Sequence, residues 1–399
     1  MKCPSCGGGI KFDPARQKLC CDYCGSEYTT AEYDALIAAE TGVNPGTSQE
    51  GSGTLSGTAV EAAVVSEDEG FDSIKYTCPN CGGSILSYDN TAATFCSYCG
   101  SQTILEGRMV KERKPDRIIP FILSKEQCEE KYKSTIARAL FAPSDFRKDT
   151  TVERFRGIYM PYWVYNFNVN DKEVVVKGSK SHRRGDYIYT KHYNLVSRVN
   201  AHYDGISFDA ASTFSDNLSE AIAPYDYKES VDFVPTYLSG FYADSADVDD
   251  SVYAEEAQVM ISADLTNTII RNKTYRSYSV SDTKSVQNAI GVSQQKAKTA
   301  FFPVWFLSTK VGNRISYAVV NGQTGKVAAD IPIDFAKYIA ISLGLAAPIF
   351  VLLSFVFNLT ITPGTLLFIS IILAIVSMII SGSQLAAIYR REHNLDDKG

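Results

Sequence analysis

An excess of positive charge is missing from this chain of 399 residues: 39 lysines and arginines against 45 acidic residues leave a formal net charge of −6. Domains that grip nucleic acid by its phosphates are usually basic, so the balance argues against a general nucleic-acid binder. Catalytic signatures are missing too. There is no nucleophile elbow and no HExxH sequence. Gly322-Gln-Thr-Gly325-Lys326 offers glycines and a lysine, but lacks the four-residue gap and the hydroxyl residue of a phosphate loop, and reads as a hairpin turn. Histidine is scarce. His182, His192 and His202 recur at a spacing of ten in strand-like sequence that Asn194 is expected to break, so no metal or acid–base role is assigned to them. The chain is therefore not expected to be an enzyme. The start, Met1-Lys2-Cys3, leaves no room for a secretory signal, which counts against a disulfide framework.

What is present is a cysteine quartet that occurs twice. Cys3-Pro-Ser-Cys6-Gly-Gly is followed by Cys21-Asp-Tyr-Cys24-Gly-Ser, and at an offset of 75 come Cys78-Pro-Asn-Cys81-Gly-Gly and Cys96-Ser-Tyr-Cys99-Gly-Ser. Two CxxC turns at this separation are the pattern of a four-thiolate zinc ribbon, each turn supplying two thiolates from one tight loop. The eight expected ligands are Cys3, Cys6, Cys21, Cys24, Cys78, Cys81, Cys96 and Cys99, for two zinc ions; iron in a rubredoxin-like site is the alternative. No βαβ setting surrounds a CxxC, so a thioredoxin-like redox pair is not expected. Of ten cysteines, Cys20 and Cys128 remain, the first packing against a knuckle or competing for metal, the second an ordinary buried thiol.

These landmarks divide the chain. Residues 1–30 form the first ribbon, and 31–74 a short helix and a flexible, acidic, Gly/Ser-rich tether that has too few apolar groups to offset ordering entropy. The second ribbon covers 75–106. A basic stretch follows (Arg108, Lys111, Arg113, Lys114, Arg117), either a solvated linker face or a contact for an acidic lipid surface or partner. Residues 107–335 are expected to be a cytoplasmic α+β domain. Ser124 and Gln127 form a capping-box signature for a helix through Cys128, Tyr132, Ile136 and Leu140. Further helices are expected around Val252, Ala257, Met260 and Leu265, and from Ser285 to Ala300. Strand-like runs lie at Tyr159–Val169, Glu173–Lys177, Asp186–Tyr193 and Leu195–Tyr203. The only two tryptophans sit in matching frames, Met160-Pro-Tyr-Trp163-Val and Phe302-Pro-Val-Trp305-Phe, each followed by a turn signal (Asn170-Asp-Lys172; Gly312-Asn-Arg314) and an apolar strand. This predicts an internally repeated β-hairpin unit with the tryptophans as core anchors.

The C-terminal sector, 336–389, carries two uncharged runs, Tyr338–Phe357 and Thr365–Ala387, each long enough to cross the ~30 Å hydrocarbon core. Small residues at spacing four (Ala340 and Gly344, Ser370 and Ala374, Ser377 and Ser381) suit close helix approach. A two-helix transmembrane hairpin follows, with Lys337 before it and Arg390-Arg391 after it placing both termini, including the 390–399 tail, in the cytoplasm. No ionisable residue lies within either run, which speaks against a pore. The fold class is thus multidomain: two zinc ribbons, an α+β domain and a membrane hairpin.

The repeated Cys-Pro-x-Cys-Gly-Gly…Cys-x-Tyr-Cys-Gly-Ser, with Gly157-Ile-Tyr-Met-Pro-Tyr-Trp163, Tyr237-Leu-Ser-Gly-Phe-Tyr-Ala-Asp244, Phe302-Pro-Val-Trp305, Val320-Asn-Gly-Gln-Thr-Gly-Lys326 and the terminal hairpin, resembles bacterial membrane proteins with transcription factor IIB-type zinc ribbons. The resemblance implies a membrane anchor that recruits phage-shock-protein-A-like or band-7-like proteins in envelope stress. Relatives are sometimes labelled primosomal helicases, a label this sequence does not support, having no phosphate loop or helicase core. The duplicated ribbon departs from the simpler single-ribbon plan. The expected function is a membrane-anchored adaptor whose ribbons, on a flexible arm, dock partner proteins, with Tyr23, Tyr28 and Tyr98 either contacting partners or packing over the metal loops. A partner held this way gains from local concentration. The alternative is a membrane-associated nucleic-acid-binding protein, weakened by the absence of any basic residue between Cys78 and Cys99. No small-molecule substrate is indicated.

Overall fold

The run from Ile158 to Phe167 is apolar at nearly every position, the composition of a strand buried on both faces. In the computed structural model it lies in the middle of the large sheet. The structure describes residues 1–41, 70–88, 96–99, 101, 106–148, 151, 154–273, 275–280, 283–294, 296–311 and 314–358, with positions 368, 371, 372, 374, 375, 378 and 379 beyond them. The expected tether, the second apolar run and the tail lie largely or wholly outside the described residues. The chain divides into two units, the first comprising 1–135 with 149–330, the second 136–148 with 331–399.

In the first unit, β1 (Ile10–Asp13), β2 (Lys18–Cys21) and β3 (Glu27–Tyr28) form a small antiparallel sheet, and helix α1 (Thr30–Thr41) follows it. The second CxxC sequence grows out of a much larger sheet. β4 (Gly70–Thr77) and β5 (Ser84–Ser87) flank its first knuckle, and β6 (Glu106–Arg113) pairs along β4. Then come β7 (Arg117–Ile118), α2 (Lys125–Arg138), the long strands β8 (Arg156–Arg184) and β9 (Tyr187–Asp209), α3 (Asp216–Ile222), β10 (Val231–Asp232) and β11 (Tyr242–Ala243). The remainder is α4 (Ser251–Arg271), β12 (Ser279–Val280), α5 (Thr283–Ile290), β13 (Ser293–Gln294), β14 (Lys298–Val311), β15 (Arg314–Asn321) and β16 (Val327–Ala329). Across the large sheet the order is β10-β7-β14-β8-β11-β5-β4-β6.

The two tryptophan frames lie side by side at its centre. β8 and β14 are antiparallel, and the equivalent residues Met160 and Phe302 are direct partners, so a local pseudo-two-fold passes through that pair. Both indoles are buried and donate to carbonyls, Trp163 Nε1 to Val248 O (2.8 Å) and Trp305 Nε1 to Leu123 O (3.0 Å). They are core anchors, as their frames predict. Alternation along β8 supplies two cores: Ile158, Met160, Tyr162 and Val164 face one cluster with Phe302 and Phe306, while Trp163, Tyr165, Phe167 and Val169 face another with Ala257, Ile261, Leu265 and Ile269 of α4. Gly157 sits where a Cβ would come within 2.4 Å of the Phe241 ring, which stacks on Phe121.

Several local expectations are corrected. The four strand runs are two continuous strands joined at Gly185-Asp186. Asn170-Asp-Lys172 is a bulge in β8 rather than a turn, with Asp171 at φ 45° and its N–H donated to Asn200 Oδ1. Asn194 does not break the strand; it pairs with Lys177. The first repeated hairpin is therefore far longer than the second, whose strands turn between Val311 and Arg314 as expected. Helix α2 has the predicted capping box, with Ser124 N–H donating to Gln127 Oε1 and Gln127 N–H to Ser124 Oγ, but it ends at Arg138 and leaves Leu140 exposed. On α4 the buried face runs through Ala257, Ile261, Leu265 and Ile269, leaving Val252 and Met260 outside. The helix expected over 285–300 stops at Ile290, where Gly291 takes φ 58°. The basic stretch is not a linker: it forms β6 and β7, with the Arg113 guanidinium over the Trp163 ring and Arg117 paired with Asp232.

In the second unit, helix α6 (Phe335–Asn358) contains a 21-residue stretch, Phe335–Phe355, of mean hydropathy 2.2 and none of it buried. Among the described residues one helix is thus long and apolar enough to cross a membrane. Its start is fastened by Asp334, whose Oδ1 accepts the N–H groups of Ala336 and Lys337, and by Lys337 Nζ donating to Ala142 O (2.8 Å). Tyr338 packs edge-on against Phe141.

Candidate metal centres

Each CxxC turn closes in the same way. Cys3 N–H donates to Gly8 O and Gly7 N–H back to Cys3 O; in the second copy Cys78 N–H donates to Gly83 O and Gly82 N–H to Cys78 O. Gly7 and Gly82 take φ 71° and 75°, a conformation that L side chains resist, which is why glycine follows the second cysteine of each knuckle. The closing knuckles match as well: Cys21 N–H donates to Ser26 O and Cys96 N–H to Ser101 O.

This local folding gathers the four thiols of each quartet. Cys3 and Cys24 sulfurs lie 3.6 Å apart, as do those of Cys6 and Cys21; Cys78 and Cys99, and Cys81 and Cys96, are 3.7 Å apart. Within each quartet every sulfur is within 4.8 Å of the others. A tetrahedron with metal–sulfur bonds of about 2.3 Å has edges of about 3.8 Å, so both quartets have the dimensions of a four-thiolate site. All ten cysteines are free thiols. Cys20 is outside the first quartet, since it neighbours Cys21 on β2 and successive strand residues face opposite ways. Cys128 is buried in α2 and takes no part.

Hydrogen bonds lower one thiol in the first quartet, Cys24, and two in the second, Cys78 and Cys99. The Ser26 side chain, then its backbone, brings Cys24 down to about 6. At the equivalent Cys99, burial pushes upward, but the Ser101 hydroxyl and the Asn80 amide outweigh it and bring the thiol to about 6. Asn80 Nδ2 donates to Cys99 Sγ at 3.5 Å. The Cys24 and Cys99 thiols donate to Ser26 Oγ (3.2 Å) and Ser101 Oγ (3.3 Å), hydroxyls that can turn to donate once the sulfur is a thiolate, the form a metal ligand must take. The signal for these serines was visible in the sequence as the Cys-Gly-Ser that ends both quartets.

The surroundings of the quartets differ sharply. In the first, Cys6 and Cys24 are exposed, and Tyr23 is 87% exposed. The ribbon is nonetheless docked rather than carried on a free arm. Phe12 N–H donates to Ser239 O, Ser239 Oγ to Ile10 O and Gln17 Nε2 to Phe121 O, and Phe12 packs edge-on against Tyr237. In the second quartet Cys78, Cys96 and Cys99 are buried in the same core cluster as Ile158, Met160 and Phe306. Tyr98, which occupies the position of Tyr23 in the repeat, is only 5% exposed. Its ring meets Phe306 edge-on and its hydroxyl donates to Asp244 Oδ2 (2.5 Å), which also accepts from Thr213 Oγ1. Tyr98 is therefore not a partner contact; it packs. Asp244 closes the Tyr237–Asp244 stretch, but the sequence assigns it no role, and nothing local to it marks one. Pairing of β5 with β11 (Tyr242 with Ser87, Ala243 with Leu86) completes the integration.

The histidines are not brought together. His182 stacks on Tyr189, His192 pairs with Ser179, and His202 lies between Asn168 and Asp204. The Gly322–Lys326 segment is a turn, with Asn321 Oδ1 accepting the N–H groups of Gln323 and Thr324.

No family model matches the chain, and no solved structure matches it. Among curated proteins it is similar to the uncharacterized protein YdjG of Bacillus subtilis (strain 168), 28% identical over 336 residues that cover 71% of this chain and 97% of that protein. A shorter likeness, 41% identical over 84 residues, is to the chaperone protein DnaJ of Rhizobium meliloti (strain 1021), covering 21% of this chain and 19% of that one.

Proposed function

We propose that the chain is a membrane-anchored adaptor that holds one zinc ion in each cysteine quartet and uses the first to recruit partner proteins to the inner face of the cell membrane. The observation that carries this is the contrasting fate of equivalent tyrosines: Tyr98 is sealed in the core, while Tyr23 stands 87% exposed beside two exposed thiols. A four-thiolate site is closed to substrate and stabilises loops, so an exposed aromatic held on such a loop is a rigid recognition element rather than a catalytic one. The exposed apolar helix α6 supports anchorage, and the apolar run 365–387 would return the chain to the side on which it entered, with Lys337 and Arg390-Arg391 holding both termini in the cytoplasm. Partners of the phage-shock-protein-A-like or band-7-like kind, acting in envelope stress, are those that the family resemblance implies.

The test has two arms. Metal analysis of the purified chain should give two zinc ions per molecule. Crosslinking and affinity capture from membranes should then recover a partner with the wild type and lose it with Tyr23→Ala, whose quartet remains intact. Recovery of the same partner with Tyr23→Ala and with Cys3→Ser plus Cys6→Ser would exclude the first ribbon as the docking element.

A further inference from the structure

The β8–β9 hairpin outruns the protein that supports it. Among the described residues its last lateral neighbour is β12, which pairs at Gly178 and Ser179. Lys180 Nζ sits 4.0 Å over the Tyr278 ring, and Tyr193 meets the same ring edge-on. Beyond that root every residue from Lys180 to Asn194 is exposed. Six residues of strand from Ser179 to Gly185 carry the tip about 20 Å outward. Cross-strand contacts hold it together: Ser181 and Thr190 hydroxyls are 2.8 Å apart, and the His182 and Tyr189 rings stack.

The ribbon is basic, although the chain as a whole is acidic. It carries Lys180, Arg183, Arg184 and Lys191 against the single acid Asp186, in a protein whose net charge is −6. Among the described residues no carboxylate pairs with these four cations. The tip also exposes Tyr187 (73%), Ile188 (71%) and Tyr189 (50%). Register places Tyr187 and Tyr189 on one face with Arg184 and His182, and Ile188 on the other with Arg183.

We infer that this tip inserts end-on into the headgroup region of an anionic bilayer. A partner protein or a nucleic-acid groove would meet one face of a ribbon, whereas large apolar side chains stand on both faces here. Isoleucine offers no hydrogen bond to a base and is unfavourable in water, but it is accommodated at the acyl boundary, where tyrosine is also favoured. Each cation near an anionic surface adds about five-fold to partitioning. The acidic body does not cancel this, because the ~20 Å reach of the ribbon exceeds the ~8–10 Å screening length at physiological salt. The inference rests on the membrane anchorage proposed above and adds a second, lipid-selective contact to it.

The test uses the full chain with Ile188→Trp, reconstituted into vesicles whose anionic lipid, 30 mol% of the total, is brominated, or into neutral brominated vesicles. Trp163 and Trp305 are buried and give a shielded background that also reports folding. Indole quenching above the wild-type background is expected in the anionic vesicles only, and is expected to disappear when Arg183→Glu, Arg184→Glu and Lys191→Glu are added. Carbonate-resistant association reports the span separately. Resistance without quenching overturns the hairpin inference alone; anionic-dependent quenching without resistance supports the hairpin and overturns the anchorage; loss of both overturns both. Equal quenching in neutral vesicles overturns the electrostatic basis. Absent quenching, together with salt-sensitive retardation of a single-stranded oligonucleotide that the triple charge reversal removes, overturns the inference in favour of nucleic acid.

Discussion

Tyr98→Phe isolates the bond that ties the second metal loop to the core. The substitution keeps the ring and its edge-on contact with Phe306 and removes only the hydroxyl that donates to Asp244. A hydrogen bond to a charged acceptor contributes about 1.5–3 kcal/mol, against about 1 kcal/mol for a neutral pair. Asp244 is almost wholly buried, and burial raises its carboxyl to about 6 in spite of the donors Thr213, Tyr98 and Ser245. Because that value lies above the ~3.9 of an unfolded aspartate, the ionised form already works against the fold above pH 6. Losing the Tyr98 donor raises the folded value further. The penalty is then near its full size at pH 8 and shrinks as pH falls from the raised value towards about 6, below which the carboxyl is protonated with or without Tyr98. For a unit of this size about 1–2 °C of Tm corresponds to 1 kcal/mol. The full chain in mild detergent, followed by tryptophan emission with metal content checked at each pH, should lose about 2–5 °C at pH 8 and about half that or less at pH 5. An equal loss at both values would show that Asp244 does not depend on Tyr98 for its charge.

The two quartets should respond differently to ligand loss: Cys78→Ser with Cys81→Ser is expected to abolish the cooperative transition of the tryptophans, whereas Cys3→Ser with Cys6→Ser should lower bound metal from two ions to one and leave that transition largely in place. Asp209 offers a second titration, since burial, aided by the nearby Asp216 charge, raises it to about 7. Asp209→Asn should stabilise the protein by up to about 4 kcal/mol above pH 7, the gain falling to roughly a third by pH 5 because the native carboxyl is then protonated in the fold; a gain independent of pH in denaturant titrations would contradict this. Gly157→Ala should cost about 1–3 kcal/mol by the same measurement, as its Cβ would press into Phe241 within the stacked aromatic core.

Local features were legible in the sequence and long-range ones were not. The quartets, the capping box at Ser124 and the apolar span are each written within some twenty residues, so spacing and composition find them. The integration of the second ribbon depends on β5 meeting β11, a pairing between residues 87 and 242, and on Tyr98 reaching Asp244, 146 positions away. No periodicity encodes such meetings. The long hairpin was hidden for a different reason. Asn170-Asp-Lys172 has turn chemistry, but its positive φ and polar side chains are consumed in a bulge that Asn200 completes from the opposite strand. Asn194 and Gly178 are likewise poor strand formers held in place by their partners across the ladder. Tertiary pairing overrode local preference at each of these points.

The repeat makes the division of labour between the quartets arguable from single residues. Offset by 75, the quartets share their cysteines, the serine of Cys-Gly-Ser and their central tyrosine, with Asn80 in place of Ser5, so metal chemistry alone gives little reason for their surroundings to differ. What differs is the strand that follows. Ser84–Ser87 presents Ile85, Leu86 and a buried Ser87, all covered, and pairs with β11, whereas Ile10–Asp13 alternates buried and exposed residues and pairs only within its own small sheet. A strand with one buried face leaves the knuckle above it in solvent; a strand buried throughout draws its knuckle into the core. Exposing Tyr98 would then demand rebuilding β5, while Tyr23 is already free to be contacted without cost to the fold. Transplanting the β5 sequence into the first ribbon should therefore produce exposed apolar surface and aggregation rather than a second buried knuckle, because among the described residues β1 has the Ser239 backbone beside it but no strand equivalent to β11.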